Sequence, residues 1–292
     1  VWQAIEEAIC EASDRPFKAV TQVAVGGGCI NEAVCLEGDG RRYFVKLNTA
    51  DRLDMFEAEA AGLDVLHASG TVRVPRPLCL GAEDGRSWLV LEFISLGGGS
   101  RTAASMLGEQ LAAMHRCSSR THGWDRDNTI GATPQPNAQS RDWVTFYREQ
   151  RLGYQLELAA ANGAPRSLTS AGERLLERLE FFFQDYRPEP SLLHGDLWGG
   201  NWACDGSGRP VIFDPAVYYG DRETDIAMTE LFGRFEAGFY RAYQSAWPLD
   251  SGYASRKTLY QLYHILNHFN LFGGGYAGQA GRMLDALLSQ AS

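Results

Sequence analysis

Between Leu192 and Tyr219 the chain reads LLHGDLWGGNWACDGSGRPVIFDPAVYY, a pattern that few folds accommodate. An apolar pair, Leu192 and Leu193, leads into His194-Gly195-Asp196, and Asn201 follows five residues after that aspartate. A short apolar run, a turn containing Gly206, Gly208 and Pro210, and a second apolar run from Val211 to Phe213 come next. Two apolar runs about a glycine-rich turn predict a β-hairpin. Asp214 stands just beyond its second strand. One carboxylate and one amide therefore precede the hairpin and a second carboxylate follows it, so closing the hairpin gathers all three.

That set suits phosphoryl transfer. Mg²⁺ prefers oxygen ligands and binds through one or two carboxylates beside nucleotide phosphates, which Asn201 and Asp214 can provide. Asp196 is then free to accept the proton of an attacking hydroxyl. Protein kinases use a loop Asp, an Asn five residues on and a later metal-binding Asp. Here the second motif is Asp-Pro-Ala and no Arg precedes Asp196, which points to the small-molecule branch of that fold. A single loop Asp is ordinarily a turn former or a cap; three groups at this spacing favour chemistry. By the same analogy Asp225 is structural, bonding the loop backbone around His194 and Asp196. His194 reads as a loop anchor, since Asp196 already holds the position of the base.

The N-terminal third is expected to hold the nucleotide. After a helix over 1–12, strands over 19–25, 31–36 and 43–47 are separated by Gly26-Gly27-Gly28 and by the Gly38-Asp39-Gly40 turn. A strand meander argues against a Rossmann unit, and against a Walker loop, which would place its Lys directly after the glycines. Instead Lys46 lies inside the third strand, where it can reach phosphates covered by the glycine loop. A helix over 51–68 follows. Phe56, Leu63 and Leu66 share one face, and Glu59 falls within it. A carboxylate there needs a partner, and Lys46 is the expected one. Residues 78–80 and 87–93 complete five strands. The backbone at Glu92 and Phe93 is the expected edge for adenine, and Gly97-Gly98-Gly99 is the best linker in the chain. The expected fold is α+β and bilobal, protein-kinase-like. It comprises a small N-lobe over 1–94, with a five-stranded antiparallel sheet and one main helix, and a larger, mainly helical C-lobe over 95–292.

Helices are predicted over 101–116, 141–161, 168–186, 221–231, 234–246, 255–271 and 275–288. The polar stretch 117–140 is a long loop ordered by Trp124 and Ile130, since loops of this length are otherwise functional or disordered. Lys and Arg number 27 against 36 acidic residues, a net charge of −9. With no basic run, nucleic acid and anionic membranes are poor partners. No stretch suggests a membrane span or a signal peptide. Six cysteines without paired spacing fit a reduced, cytoplasmic protein lacking a zinc site. Val1 opens the chain, consistent with missing native N-terminal residues.

Beyond these parts, the chain resembles the fructosamine kinase or ketosamine-3-kinase family. The resemblance runs through GGGCINEA (26–33), FVKLN (44–48), MFEAEAAGL (55–63), RVPRPL (73–78), DNTIGATPQPN (127–137), HGDLWGGN (194–201), DPAVYYGDRETDIAM (214–228) and LYHILNHFNLFGGGY (262–276). It implies ATP and Mg²⁺ as cofactors and phosphorylation of the 3-hydroxyl of a ketosamine, free or on a glycated protein lysine. The phosphate ester then breaks down and releases the amine. It also implies Lys46 and Glu59 as the nucleotide pair, Asp196 as base, and Asn201 and Asp214 as metal ligands. Gly199 departs from the Ser common in that family. Trp198 and the helical set Tyr263, His264, Asn267 and His268 are expected on the sugar side. Cys29, at the tip of the glycine loop, is a candidate redox-sensitive thiol that Mg-ATP would protect. The chain is expected to be a monomer or weak dimer. Other small-molecule kinases of this fold, for aminoglycosides, choline or a thiosugar, and a nucleotide-binding pseudoenzyme are the alternatives.

Overall fold

The structure, a computed structural model, describes residues 1–26, 30–98 and 100–292. It opens with helix α1 (Trp2–Ser13) and strands β1 (Thr21–Ala24), β2 (Glu32–Gly38) and β3 (Arg41–Thr49). A short 3-10 turn, Ala50–Arg52, leads into α2 (Leu53–Ala68), followed by β4 (Pro77–Glu83) and β5 (Arg86–Glu92). The strands form an antiparallel sheet in the order β1-β2-β3-β5-β4. Asp39-Gly40 and Asp84-Gly85 make its two tight connections, with φ of 52° and 71° in one and 53° and 75° in the other. Paired positive φ values define the type I′ hairpin turn, for which Asp-Gly is well suited.

The two-residue period of the strands decides which side chains meet. Val45 and Leu47 of β3, with Trp88 and Val90 of β5, pack against Ile5 and Ile9 of α1. The intervening residues Phe44, Leu89 and Leu91 face the other core, where Phe56, Leu63 and Leu66 of α2 are fully buried. Lys46 alternates with Val45 and Leu47, so it is turned to the α2 side. The core beneath the sheet continues into the C-terminal part without a break, and α2 is therefore held from both sides.

Strand β6 (Leu96–Gly97) comes next, then α3 (Arg101–His115), whose first turn is capped by Ser100 Oγ accepting the Ala103 N–H. The long polar loop contains a small hairpin, β7 (Asn128–Ile130) and β8 (Thr133–Gln135), with Trp124 and Ile130 buried as expected. Helices α4 (Trp143–Tyr147), α5 (Tyr154–Ala161) and α6 (Arg166–Leu176) precede β9 (Ser191–Leu193), β10 (Trp202–Asp205), β11 (Pro210–Ile212) and β12 (Tyr218–Gly220). Helices α7 (Glu223–Thr229), α8 (Ala237–Ala246), α9 (Tyr253–Phe272) and α10 (Tyr276–Gln290) complete the chain. Among the described residues no helix is long and apolar enough to cross a membrane.

Three local expectations are corrected. The helix expected over 141–161 is interrupted by a π-turn, Arg148–Gly153. The wider turn brings the Arg148 carbonyl so close to Gly153 that a Cβ there would lie 2.4 Å from it. The extra residue turns Arg151 fully inward. It donates to Pro136 O and Asn137 Oδ1, both at 2.6 Å, and lies 3.9 Å above the Tyr218 ring. The helix expected over 168–186 stops at Leu176, whose carbonyl accepts from Arg148 Nε at 3.1 Å, and resumes as a 3-10 turn, Leu179–Phe183. The glycine linker is partly structured: β6 pairs with β10, in a three-stranded sheet with β11. Gly99 lies outside the described residues.

Candidate active site

The catalytic loop is fixed at its base before any functional side chain is placed. Strand β9 pairs antiparallel with β12 and delivers His194. The His194 and Gly195 amides donate to the two Asp225 carboxylate oxygens, at 2.8 and 2.9 Å. Asp225 also lies 3.1 Å from His115 Nε2, and His115 Nδ1 is 2.7 Å from the Tyr243 hydroxyl. Because a carboxylate only accepts, His115 donates from Nε2 and receives the tyrosine proton at Nδ1. Burial alone would raise the Asp225 pKa, but the hydrogen bonds it accepts from His115 and from the Gly195 amide outweigh that and hold the group below its usual range. Gly195 has φ of 84°, and a Cβ would meet the Ala216 carbonyl at 2.0 Å, so only glycine fits. Asp225→Ala is expected to orphan two buried amides and His115, with a loss of about 3 kcal/mol or more. Chemical denaturation checks this, and an unchanged midpoint would remove Asp225 as the loop's anchor.

His194 is buried with both ring nitrogens engaged. Nε2 lies 3.0 Å from the Phe213 carbonyl and therefore donates, while Nδ1 accepts from the Asp196 amide at 3.2 Å. Burial lowers its pKa, and one donating with one accepting nitrogen is the hydrogen-bond pattern of the neutral ring. The structural role expected of it agrees with this geometry.

The three groups flanking the hairpin do converge. Asn201 Nδ2 donates to the Asp196 carbonyl at 2.9 Å and approaches Asp196 Oδ2 at 3.4 Å and the Asp214 carbonyl at 3.5 Å. Asp214 adopts a left-handed φ of 56°, tolerated by aspartate, and its carboxylate meets Lys46 Nζ at 2.6 Å. Lys46 also binds Glu59 Oε1 at 2.5 Å. The helix-face carboxylate thus has the partner expected of it. Burial would lower the Lys46 pKa, but the Asp214 and Glu59 carboxylates hold it above its ordinary value. Burial pushes Asp196 up to about 7, helped by the negative charges of Asp214 and Asp225 and opposed by the Asn201 donor. A carboxylate with its proton affinity near neutrality is matched to general-base work.

The donor set also fits a hard divalent cation. The Asn201 side-chain nitrogen is occupied, while its Oδ1 accepts no hydrogen bond among the described residues. The Asp214 carboxylate is 51% exposed beside it. One neutral and one anionic oxygen, on residues that both neighbour Asp196, suit Mg²⁺.

Other expected site residues are placed less uniformly. Gly26 is exposed, and Gly27, Gly28 and Cys29 lie outside the described residues. Glu92 spends its carboxylate on Arg73 at 2.8 Å and its amide on Arg76 O at 2.8 Å. Phe93 lies beyond the sheet with Arg42 over its ring at 4.3 Å. Arg73, which sequence reasoning did not single out, also binds Asp205 at 2.5 Å and receives the Ile212 amide on its carbonyl. It clamps the segment between α2 and β4 to the β10–β11 hairpin, and its partners are too distant in sequence to signal this. Trp198 is 38% exposed and folds over Gly200, where a Cβ would collide with the indole. Gly199 has open space around its Cα, so the departure from Ser is accommodated.

The helical set splits. Asn267 is buried, accepting from Gln155 Nε2 at 3.3 Å and donating to the Ile130 carbonyl at 3.4 Å, which ties α9 to α5 and to the small hairpin. Tyr263 donates to Gln135 at 2.7 Å and is likewise buried. His264 is buried, with its pKa pushed down to about 3 by loss of solvation and by the neighbouring His268. Of the four, His268 alone is partly exposed. Helical spacing placed these residues together, but it could not tell which side of α9 the other helices would cover.

Comparison with known proteins identifies the chain's relatives. A model of the family described as fructosamine kinase matches residues 1–290. A Synechocystis protein named a probable ketoamine kinase is 49% identical, covering 98% of this chain and 97% of its own. The Arabidopsis thaliana chloroplastic protein-ribulosamine 3-kinase is 45% identical, covering 91% of this chain and 82% of its own. A crystal structure of a candidate fructosamine-3-kinase from Haemophilus somnus superposes with a TM-score of 0.92 at 28% identity, covering 98% and 97% of the two chains.

Proposed function

The chain belongs to the fructosamine kinase family, and from that premise we propose that it transfers a phosphoryl group from ATP to the 3-hydroxyl of a ketosamine. One observation carries the residue assignments: Asp196, Asn201 and Asp214 converge about one hairpin while Lys46, paired with Glu59, reaches the same point from the sheet. Asp196 accepts the proton of the 3-hydroxyl as its oxygen becomes the nucleophile. Lys46 presents an ammonium to the nucleotide phosphates, and Glu59 fixes its direction. Asn201 and Asp214 would hold Mg²⁺, which would supply positive charge to the phosphate oxygens. Asn201 also holds the loop carrying Asp196 against the Asp214 backbone, so base and metal ligands keep one register. The phosphate is a better leaving group than hydroxide: loss of a C1 proton forms the enaminol, which expels inorganic phosphate from C3, and water then hydrolyses the conjugated imine so formed to free the amine, which makes the reaction a deglycation step.

The test is direct. Fructosyl-lysine, ribulosyl-lysine, an aminoglycoside and choline are each incubated with Mg-ATP and the product is located by phosphorus-coupled NMR. Phosphate on O3 of either ketosamine is the expected result. Phosphate on an aminoglycoside or choline, with none on a ketosamine, would overturn the reading.

A further inference from the structure

An aromatic surface leads away from the catalytic loop. The Trp198 ring meets Phe232 edge-on at 6.5 Å, and Phe232 lies 4.5 Å from His268. His268 in turn meets Phe272 at 5.7 Å and Tyr276 at 5.3 Å. The rings come from the catalytic loop, the segment after α7, the end of α9 and the start of α10. Trp198 and Phe272 are 38% and 55% exposed, and the three others are partly exposed.

Two observations say what this surface receives. First, many aromatic rings elsewhere are covered by the protein's own arginines. Arg116 and Arg222 lie on Trp247, Arg234 on Tyr240, Arg42 on Phe93 and Arg256 on Tyr186. Among the described residues none of the five rings has such a cover. Arg234, close in sequence to Phe232, is turned away to Tyr240 and Glu230. Second, His268 Nδ1 lies 2.8 Å from the His264 carbonyl and so must donate to it. In the neutral ring this leaves Nε2 as a bare acceptor, and burial lowers the His268 pKa in support of that form. Partly exposed rings with no cation of the protein's own over them, beside a lone-pair nitrogen and in a chain of net charge −9, complement an ammonium group.

We propose that this surface is the subsite for the charged amine of the substrate. The secondary ammonium of the ketosamine lies against Phe232 and Trp198 and donates to His268 Nε2, and the group carried on nitrogen runs out over Phe272 and Tyr276. The proposal rests on the ketosamine reading of the preceding section. In such a substrate the amine is close to the 3-hydroxyl, so a hydroxyl held at Asp196 keeps the nitrogen beside the loop that carries Trp198 two residues on. The surface thereby selects a ketosamine over a free ketose.

The test compares a 1-alkylamino-1-deoxyfructose with its neutral 1-O-alkyl ether as substrates for wild type, Phe232→Leu and Phe232→Tyr. Wild type is expected to show a lower KM for the amine. Phe232→Leu keeps apolar bulk but loses the π face and should raise the amine KM by ~3–30-fold, with the ether and ATP KM values unchanged. Phe232→Tyr keeps the ring and should resemble wild type, which separates loss of the face from misfolding. Equal KM values for amine and ether in wild type, or equal rises for both in Phe232→Leu, would overturn the subsite while leaving ketosamine kinase activity intact. Failure of wild type to phosphorylate any ketosamine would overturn both readings.

Discussion

Asp196→Asn is expected to lower kcat by ~10²–10⁴-fold, the usual range for removal of a general base. Shape is preserved, and the main contact from Asn201 goes to the Asp196 backbone carbonyl at 2.9 Å, which the substitution leaves in place. The loop's anchor at Asp225 involves the His194 and Gly195 amides and is equally untouched. Lys46, Glu59 and Asp214 form their ion pairs without Asp196. Mg-ATP affinity, measured by calorimetry, should therefore stay within a few-fold of wild type while turnover collapses. Retention of kcat within a similar factor would mean that another group takes the proton. Loss of both affinity and turnover would mean that Asp196 organises the nucleotide site instead.

Asp214→Ala should have a comparable or larger effect, with turnover down by at least ~10³-fold, since it removes an anionic metal ligand from the point where phosphate charge is concentrated. The substitution also deprives Lys46 of one of two carboxylate partners and leaves the pair with Glu59. With the Asp214 carboxylate 51% exposed, the fold should persist, and thermal unfolding provides that control. Raising Mg²⁺ should recover little activity, because the ligand itself is missing. A variant that binds Mg-ATP normally and turns over at the wild-type rate would sink the assignment of Asp214 to the metal.

The parts of the site legible in the sequence were those governed by local periodicity. The two-residue alternation of β3 fixed Lys46 opposite to Val45 and Leu47, and the helical repeat of α2 placed Glu59 among Phe56, Leu63 and Leu66. Both periods follow from backbone geometry alone, so the pairing of Lys46 with Glu59 could be expected before any coordinates. The hairpin between Asn201 and Asp214 is likewise a short-range object, set by two apolar runs and the turn between them.

What the periods could not supply was the far partner. Asp214 reaches Lys46 across 168 residues, and Arg73 joins Glu92 to Asp205 across both parts of the molecule. The π-turn depends on one extra residue accommodated between α4 and α5, which carries Arg151 inward to Asn137 and the Tyr218 ring. The same limit explains α9: its sequence sets Tyr263, His264, Asn267 and His268 on neighbouring positions, yet contacts with α5, α7 and the β7–β8 hairpin bury three of them and leave His268 among Phe232, Phe272 and Tyr276. By itself the sequence determined which residues share a face, because that depends on backbone geometry within one element. Only the tertiary structure decided which faces are covered, because burial is set by whichever distant segment packs there, and no local pattern encodes that neighbour.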